Sequence, residues 1–177
     1  APSGYGKSTL AAQWRNELTR DGVAVGWLTV DDDDNNVVWF IAHVLESLRR
    51  VRPELAESLC QVLEEHGDDA ARYVLTSLID EIESDNGQFA VVIDDWHRIN
   101  NGAVIDALAY LLNHAGHHLQ VIVTSRTRAG LPTGRLRVRD ELTEIDSAAL
   151  RFDTLESRAL LVDVGGLELD EAEVAHL

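Results

Sequence analysis

Short runs of consecutive apolar residues alternate along this chain with longer segments in which apolar residues recur every three or four positions. Continuous apolar runs of this length are typical of buried strands, and the longer spacing is typical of amphipathic helices. Strands that alternate with helices indicate a parallel β-sheet flanked by helices. The sequence therefore predicts an α/β fold, with strands at residues 23–30, 89–93 and 119–126.

Helical spacing of apolar residues begins at several points along the chain. Lys7 to Arg20 is predicted to form the first helix, and Pro53 to open a later one because its fixed backbone angle suits a helix start. Residues 135–146, RLRVRDELTEID, alternate polar and apolar side chains and predict a strand nearer an edge of the sheet. The other predicted helices carry the apolar sets Phe40, Ile41, Val44, Leu45 and Leu48; Val74, Leu75, Leu78, Ile79 and Ile82; and Val104, Ile105, Leu108, Leu111 and Leu112.

The C-terminal segment differs from the rest in kind. Asp153 is followed three positions later by Glu156, which is the pattern of a capping box at a helix start. Short helices are predicted to continue from there to Leu177. We therefore predict a main domain over residues 1–148 and the beginning of a small helical domain over residues 149–177.

Composition is that of an ordinary soluble globular protein, with 45% apolar and 26% charged residues among 177. The sequence holds no run of 18 apolar residues and no signal segment, which predicts a cytoplasmic protein with no membrane contact. The formal charge of −16 disfavours direct contact with nucleic acid. The single cysteine, Cys60, is predicted to be a buried thiol and not a nucleophile.

The first residues, APSGYGKST, resemble a phosphate-binding loop. The template G-x-x-x-x-G-K-[ST] matches at Gly6, Lys7 and Ser8 and misses only at Ala1. Glycines allow a tight turn whose N–H groups point at phosphate, the lysine supplies a mobile ammonium, and the serine hydroxyl suits Mg²⁺. The alternative is a glycine-rich turn that only caps a helix. The predicted nucleotide-binding residues are Ser3, Gly4, Tyr5, Gly6, Lys7, Ser8 and Thr9.

Polar residues follow three predicted strands at the sheet edge where ligands of open α/β folds bind, namely Asp94 and Asp95, Ser125 and Arg126, and Asp31 to Asp34. Asp94 ends the apolar run 89–93, where a rigid carboxylate would bind Mg²⁺ together with Ser8. The neighbouring Asp95 would polarise the attacking water as a general base. Arg126 would reach the terminal phosphate, its alternative being a surface ion pair. The predicted catalytic residues are Asp95, Lys7 and Arg126, the metal ligands Ser8 and Asp94, and the cofactors ATP or ADP with Mg²⁺.

Three other features point more weakly to function. Residues 31–36, DDDDNN, lack the glycine and distant glutamate of a calcium loop and are interpreted as a solvated acidic turn. His114, His117 and His118 have no further ligand at zinc-like spacing, so a metal site there is the less favoured interpretation. The four tryptophans Trp14, Trp27, Trp39 and Trp96 are expected to pack in the core or at its rim.

Six stretches taken together and in their order along the chain point to a known family. They are APSGYGKSTLAAQW, VGWLTVDDDDN, VVIDDWHRI, VIVTSR, RLRVRDELTEI and LRFDTLESRALL. Together they resemble the nucleotide-binding domain of the MalT-like signal-transduction ATPases, the STAND class of P-loop NTPases. Such domains occur in LuxR-type transcription regulators and in the PknK-type serine/threonine kinases, to which LTVDDDDNNVVWF and VRDELTEIDSAALRF are particularly similar. The resemblance covers nearly the whole chain.

The resemblance implies a regulatory switch that is inactive with ADP, self-associates with ATP, and is reset by slow hydrolysis. It further implies that a strand precedes the glycine loop, that a winged-helix-like domain begins near residue 149, and that regulatory domains lie elsewhere in the parent protein. No kinase signature occurs in this stretch and no helix-turn-helix can be argued. The open alternatives are a metabolic P-loop ATPase or kinase, and an interaction scaffold that has lost hydrolysis.

Overall fold

The computed structural model describes residues 1–85, 87–128 and 130–167. Residues Ala1–Thr143 form one compact unit, and a second unit begins at Glu144. Over the described residues, no helix has the length and apolar character needed to cross a membrane.

The first unit contains three parallel strands in its described part. They are β1 (Ala24–Thr29), β2 (Phe89–Asp94) and β3 (Leu119–Val123), in the spatial order β1-β2-β3. Every residue of β2 is buried, as the continuous apolar run predicts for a central strand. The predicted α/β class, a parallel sheet flanked by helices, is confirmed.

Helices cover both faces of this sheet. The bounds in the first unit are α1 Lys7–Arg20, α2 Val37–Arg49, α3 Glu57–His66, α4 Ala71–Ser84, α5 Gly102–His114 and α6 Gly134–Val138, with short 3₁₀ turns at Asp33–Asn35, Gly67–Ala70, Trp96–Arg98 and Gly116–His118.

The larger core lies on one face of the sheet. Phe89, Val91 and Ile93 point into it from β2 and join buried residues of α2, α4 and α5. On the opposite face, Ala90 and Val92 pack with Ala11 of α1 in a smaller cluster. Full burial of each large apolar side chain contributes about 1.5–3 kcal/mol, so the larger core dominates the stability of this unit.

Helix starts follow local capping chemistry. The Asn36 side chain accepts hydrogen bonds from the backbone nitrogens of Val38 and Trp39, and so caps the start of α2.

The predicted start of the third helix at Pro53 is wrong by four residues. Ala56 has a left-handed backbone with φ of 61°, so the chain turns there and α3 begins at Glu57.

The predicted strand at residues 135–146 is also wrong. Gly134–Val138 forms the short helix α6, and the following residues are irregular. A half-buried strand would place Leu136 and Val138 on the same covered face, whereas Leu136 is buried and Val138 is 88% exposed. One turn of helix is enough to bury the single apolar side chain of Leu136, and the three alternating arginines remain at the surface.

The second unit begins with irregular structure and then forms α7 (Thr154–Arg158), which continues into a π-helix at Ala159–Val164. Asp153 and Glu156 form the predicted capping box, with bonds of 2.8 Å and 2.9 Å between each side chain and the other's backbone nitrogen. The helices predicted towards Leu177 extend beyond the described residues. The domain limits at 148 and 149 stay a prediction.

Candidate functional site

A glycine loop leads directly into α1. Gly4 and Gly6 have φ angles of 85° and 70°, and Gly6 is the N-cap of the helix. A Cβ at either position would meet no atom within 4 Å, so the backbone conformation and not crowding calls for glycine. The space beside the loop is open, as a phosphate cradle requires. Tyr5 is half-buried, and Ser3 and Thr9 are exposed.

Two residues at the start of α1 point in different directions. The Lys7 ammonium donates to the carbonyl oxygen of Pro2 at 2.6 Å, which folds the side chain back over the loop. The Ser8 hydroxyl donates to Asp94 Oδ1 at 2.9 Å. The loop therefore lies against the carboxyl end of β2, and the two predicted metal ligands are in direct contact.

Asp94 is the last residue of β2 and is only 6% exposed. Besides the bond from Ser8, its Oδ1 accepts a hydrogen bond from the Thr124 hydroxyl. Its backbone oxygen accepts from the nitrogen of Val30, just after β1. A buried carboxylate needs such donors, because leaving it without them would cost several kcal/mol. Asp94 is thus held rigidly where the three strands end.

The residue after the strand, Asp95, has a left-handed backbone with φ of 62°. Its nitrogen donates to Thr124 Oγ1 at 3.1 Å, and its side chain is partly exposed. Asp94 and Asp95 therefore differ in environment, since the carboxylate of Asp94 is fixed and buried and that of Asp95 is partly exposed. This difference suits a metal ligand beside a general base.

His97 lies close to Asp95, with 3.6 Å between His97 Nδ1 and Asp95 Oδ1. That nitrogen is buried and has no hydrogen-bond partner among the described residues. Burial lowers the pKa of His97, the charge of Arg126 lowers it further, and Asp95 acts in the opposite direction. Lys7 also lowers this pKa, so the predicted catalytic groups Lys7, Asp95 and Arg126 share one electrostatic environment.

Arg126 itself is exposed and lies three positions beyond the end of β3. Its neighbour Ser125 lies near the glycine loop, since the Ala1 nitrogen is 3.4 Å from the Ser125 carbonyl oxygen. The structure thus brings the loop and the ends of β2 and β3 together at one edge of the sheet.

Sequence reasoning missed Thr124 and His97. The available signals were the first of two hydroxyl residues after the strand LQVIV and a histidine two positions after the acidic pair.

Sequence reasoning also missed the role of the acidic turn. Asp31, Asp32 and Asp33 are exposed, as a solvated turn predicts, but Asp34 is completely buried. Asp34 accepts hydrogen bonds from the Asp31 nitrogen at 2.9 Å and contacts His43 Nδ1 at 2.6 Å. The interpretation of the whole turn as solvated is therefore wrong at Asp34, because a partner from α2 compensates for its burial.

Asn35 connects this turn to the segment that follows the acidic pair. Its amide nitrogen donates to the Arg98 carbonyl oxygen at 3.0 Å. Its amide oxygen accepts from the nitrogens of Asn100 and Asn101 at 2.8 Å and 3.3 Å. One side chain thus ties the end of β1 to the loop after β2.

Among the weaker candidates, His114 has a structural explanation. His114 bonds to the Tyr110 carbonyl oxygen at 2.8 Å and stacks on its ring. Within the described ranges, no three His, Cys, Asp or Glu side chains are arranged to hold a metal ion. Trp96 is buried against Phe40, but Trp39 is 57% exposed, so the expectation that all four tryptophans pack in the core or at its rim is wrong at Trp39. Cys60 is half-buried and not fully buried, and burial raises the pKa of its thiol, which makes it a poorer nucleophile.

Comparison with known proteins gives a family match and relatives along the whole chain. Residues 1–126 match the family described as Nephrocystin 3, N-terminal. Over its full length of 177 residues, the chain is 69% identical to the serine/threonine-protein kinase PknK of Mycobacterium tuberculosis, and it spans 16% of that protein. Over 157 residues, 89% of the chain, it is 34% identical to the HTH-type transcriptional regulator MalT of Vibrio parahaemolyticus, of which it spans 17%. The resemblance to MalT-like and PknK-type proteins is confirmed.

Proposed function

We propose that this chain, which belongs to the family described as Nephrocystin 3, N-terminal, is a regulatory nucleotide-binding module. It binds ATP or ADP with Mg²⁺ and hydrolyses ATP slowly. The observation that carries the proposal is the hydrogen bond between Ser8 and Asp94, which joins the end of a glycine loop to the end of a central strand. Packing alone has no need for a buried carboxylate at this position.

The glycine loop would bind the phosphates. Its backbone N–H groups and the positive end of α1 attract anions, and the positive φ angles of Gly4 and Gly6 shape the concavity. The Lys7 ammonium, now on the Pro2 carbonyl oxygen, would exchange that neutral acceptor for charged phosphate oxygens. We therefore expect Lys7 to move on binding while the backbone of α1 stays in place.

Ser8 and Asp94 fit Mg²⁺, because both offer hard oxygen atoms and already lie at 2.9 Å from each other. When bound with nucleotide, the ion neutralises phosphate charge. The remaining ligands would be phosphate oxygens and water, so one carboxylate suffices.

Asp95 would accept the proton of the attacking water, since its carboxylate is partly exposed at the site. Burial and the charge of Arg126 lower the pKa of His97, which favours its neutral form, and a neutral ring beside Asp95 adds no positive charge that would weaken the basicity of that carboxylate. Arg126 would bind the terminal phosphate and so distinguish ATP from ADP.

The regulatory part of the proposal is supported by the names of the relatives. A kinase and a transcription regulator share this stretch, although it spans only 16% and 17% of their lengths. A module common to two different outputs is better explained as a control element than as the source of either output. We propose that it controls self-association and the output of regulatory domains elsewhere in its parent protein, in the cytoplasm and without direct contact to nucleic acid or membrane.

Calorimetric titration of ATP and ADP, each with Mg²⁺, tests this function. We expect the unsubstituted protein to bind both nucleotides and Lys7→Ala to weaken binding at least tenfold. Arg20→Ala is the matched control, because Arg20 is a cation in the last turn of the same helix. No binding by the unsubstituted protein, or equal loss in both variants, would contradict the proposal.

A further inference from the structure

We infer that Thr124 is a positioning residue for both acidic groups of the site, an inference that rests on the proposed nucleotide function. Its hydroxyl orients the carboxylate of Asp94 and holds the backbone of Asp95. It acts through these two residues, which it contacts directly.

The hydroxyl of Thr124 forms one hydrogen bond as a donor and one as an acceptor, with two successive residues. It donates its proton to Asp94 Oδ1 and accepts a hydrogen bond from the Asp95 nitrogen at 3.1 Å. A hydroxyl has one proton and two lone pairs, so a single atom can serve both contacts in only this sense. Valine, its apolar isostere, offers neither bond.

The backbone of Thr124 adds two further bonds to the same segment. Its nitrogen donates to the Ile93 carbonyl oxygen at 3.0 Å, and its carbonyl oxygen accepts from the Trp96 nitrogen at 3.0 Å. Thr124 therefore contacts four successive residues from 93 to 96. The backbone bonds continue the pairing of β2 with β3 and would survive substitution, whereas the hydroxyl bonds would not.

The backbone of Asp95 gives the hydroxyl a specific task. A left-handed conformation is unfavourable for an L-residue, so the turn at Asp95 needs compensation. The bond from its nitrogen to Thr124 supplies part of that compensation and stops the segment from continuing as an extended strand. The direction of the proposed general base thus depends on a hydroxyl from the neighbouring strand.

The carboxylate of Asp94 is oriented by the same atom. Ser8 and Thr124 both donate to Oδ1, and no described residue donates to Oδ2. Rotation of the carboxylate is thereby restricted, and Oδ2 remains available to a cation or its bound water. Ser8 is exposed at the surface while Thr124 is buried, so Thr124 is the more permanent of the two donors.

Removal of the hydroxyl should therefore impair hydrolysis more than binding. Outer-sphere partners of metal ligands typically contribute about 10- to 100-fold to metal affinity or activity. We expect Thr124→Ala to lower kcat for ATP by that factor and to raise the Mg²⁺ concentration needed for half-maximal rate. The KM for ATP should change less than threefold, because the glycine loop and Lys7 are untouched.

The test compares Thr124→Ala, Thr124→Val and Thr124→Ser in the purified protein. Serine keeps the hydroxyl and should restore at least a third of the rate, while alanine and valine should not. Thr124→Val retains the side-chain volume and gives a second reading if alanine unfolds the protein. Thr29→Ala is the matched control, because Thr29 pairs in register with Asp94 on the opposite side and its hydroxyl contacts Trp27 instead.

Three outcomes would overturn the inference. Normal kinetics and normal ATP binding in Thr124→Ala would overturn the inference about Thr124 and leave the proposed function intact. A loss in Thr124→Ser as large as that in Thr124→Ala would show that the hydroxyl is not the active feature. Failure of the unsubstituted protein to bind ATP would overturn the proposed function and the inference with it, and calorimetry distinguishes this case from the other two.

Discussion

The hydroxyl oxygen of Ser8 lies 2.9 Å from Oδ1 of Asp94, although 86 positions separate the two residues in the chain. This bond joins the first turn of α1 to the end of β2. It brings together a residue that resembles part of a phosphate loop and a residue that resembles part of a metal site. The two motifs could be recognised separately in the sequence, and the contact between them belongs to the fold.

The bond should be measurable without nucleotide. A double-mutant cycle with Ser8→Ala and Asp94→Ala should give a coupling free energy of roughly 1 kcal/mol, since the bond has a charged acceptor but lies at a partly exposed site. Urea denaturation of the four proteins provides the measurement. Strictly additive losses would mean that the bond contributes nothing to the folded state.

Substitution of the proposed general base should separate hydrolysis from binding. Asp95→Asn keeps the side-chain volume but removes the basic oxygen, so we expect ATP hydrolysis to fall about 10²- to 10⁴-fold. ATP affinity should stay within threefold, because Asp95 lies beyond the glycine loop. An unchanged rate would exclude Asp95 as the base, and Asp106→Asn on α5 serves as the matched control.

Gly6 should tolerate a side chain poorly. Gly6→Ala places an L-residue at φ of 70°, which costs roughly 1–2 kcal/mol of unfolding free energy although no atom is within 4 Å of the new Cβ. Gly102→Ala, at the first residue of α5, also meets no atom and has no positive φ, so it should be neutral or slightly stabilising. Equal melting temperatures of the two variants would contradict this account.

The buried carboxylate of Asp34 should be a stability determinant. Asp34→Ala leaves the Asp31 nitrogen and His43 without their acceptor, and we expect a loss of about 2 kcal/mol in unfolding free energy. The neighbouring Asp33 has an exposed side chain, so Asp33→Ala should change stability by less than about 0.5 kcal/mol. Chemical denaturation distinguishes the two, and similar losses would contradict the assigned role of Asp34.

The lowered pKa of His97 predicts a defined pH dependence. Folding disfavours its protonated form, so below the ordinary value of 6.5 the unfolded chain takes up a proton that the folded protein resists. The contribution of His97 to the free energy of unfolding is therefore present above pH 6.5, and it is lost as the pH falls towards the lowered pKa that His97 has in the folded protein. His97→Gln should flatten that part of the stability profile, and a parallel profile would show that His97 titrates normally.

Much of the fold could be predicted from local pattern. The apolar run 89–93 identified the central strand because a strand covered on both faces has no polar side, and α1 was predicted with the bounds that it has. Residues 135–146 were mispredicted because their alternation reflects exposed arginines around the single buried Leu136, and periodicity does not show which side is covered.

The site was predictable only in part. Residue types singled out Ser8, Asp94 and Asp95 as candidates, because phosphate and metal chemistry would require them at fixed positions in a motif, and the fold brings Ser8 and Asp94 into contact. Thr124, His97 and Asp34 act through partners distant in the chain, and nothing in their own neighbourhoods names those partners. Such residues become visible only when the strand ends are brought together.

The affinity for ATP, measured with Mg²⁺ and with excess chelator in the unsubstituted protein and in Ser8→Ala, tests whether Ser8 and Asp94 form a metal-nucleotide site. We predict that Mg²⁺ strengthens ATP binding to the unsubstituted protein and that Ser8→Ala loses most of this gain while keeping its affinity in chelator. Equal dependence of ATP affinity on Mg²⁺ in both proteins would show that Ser8 and Asp94 do not form such a site.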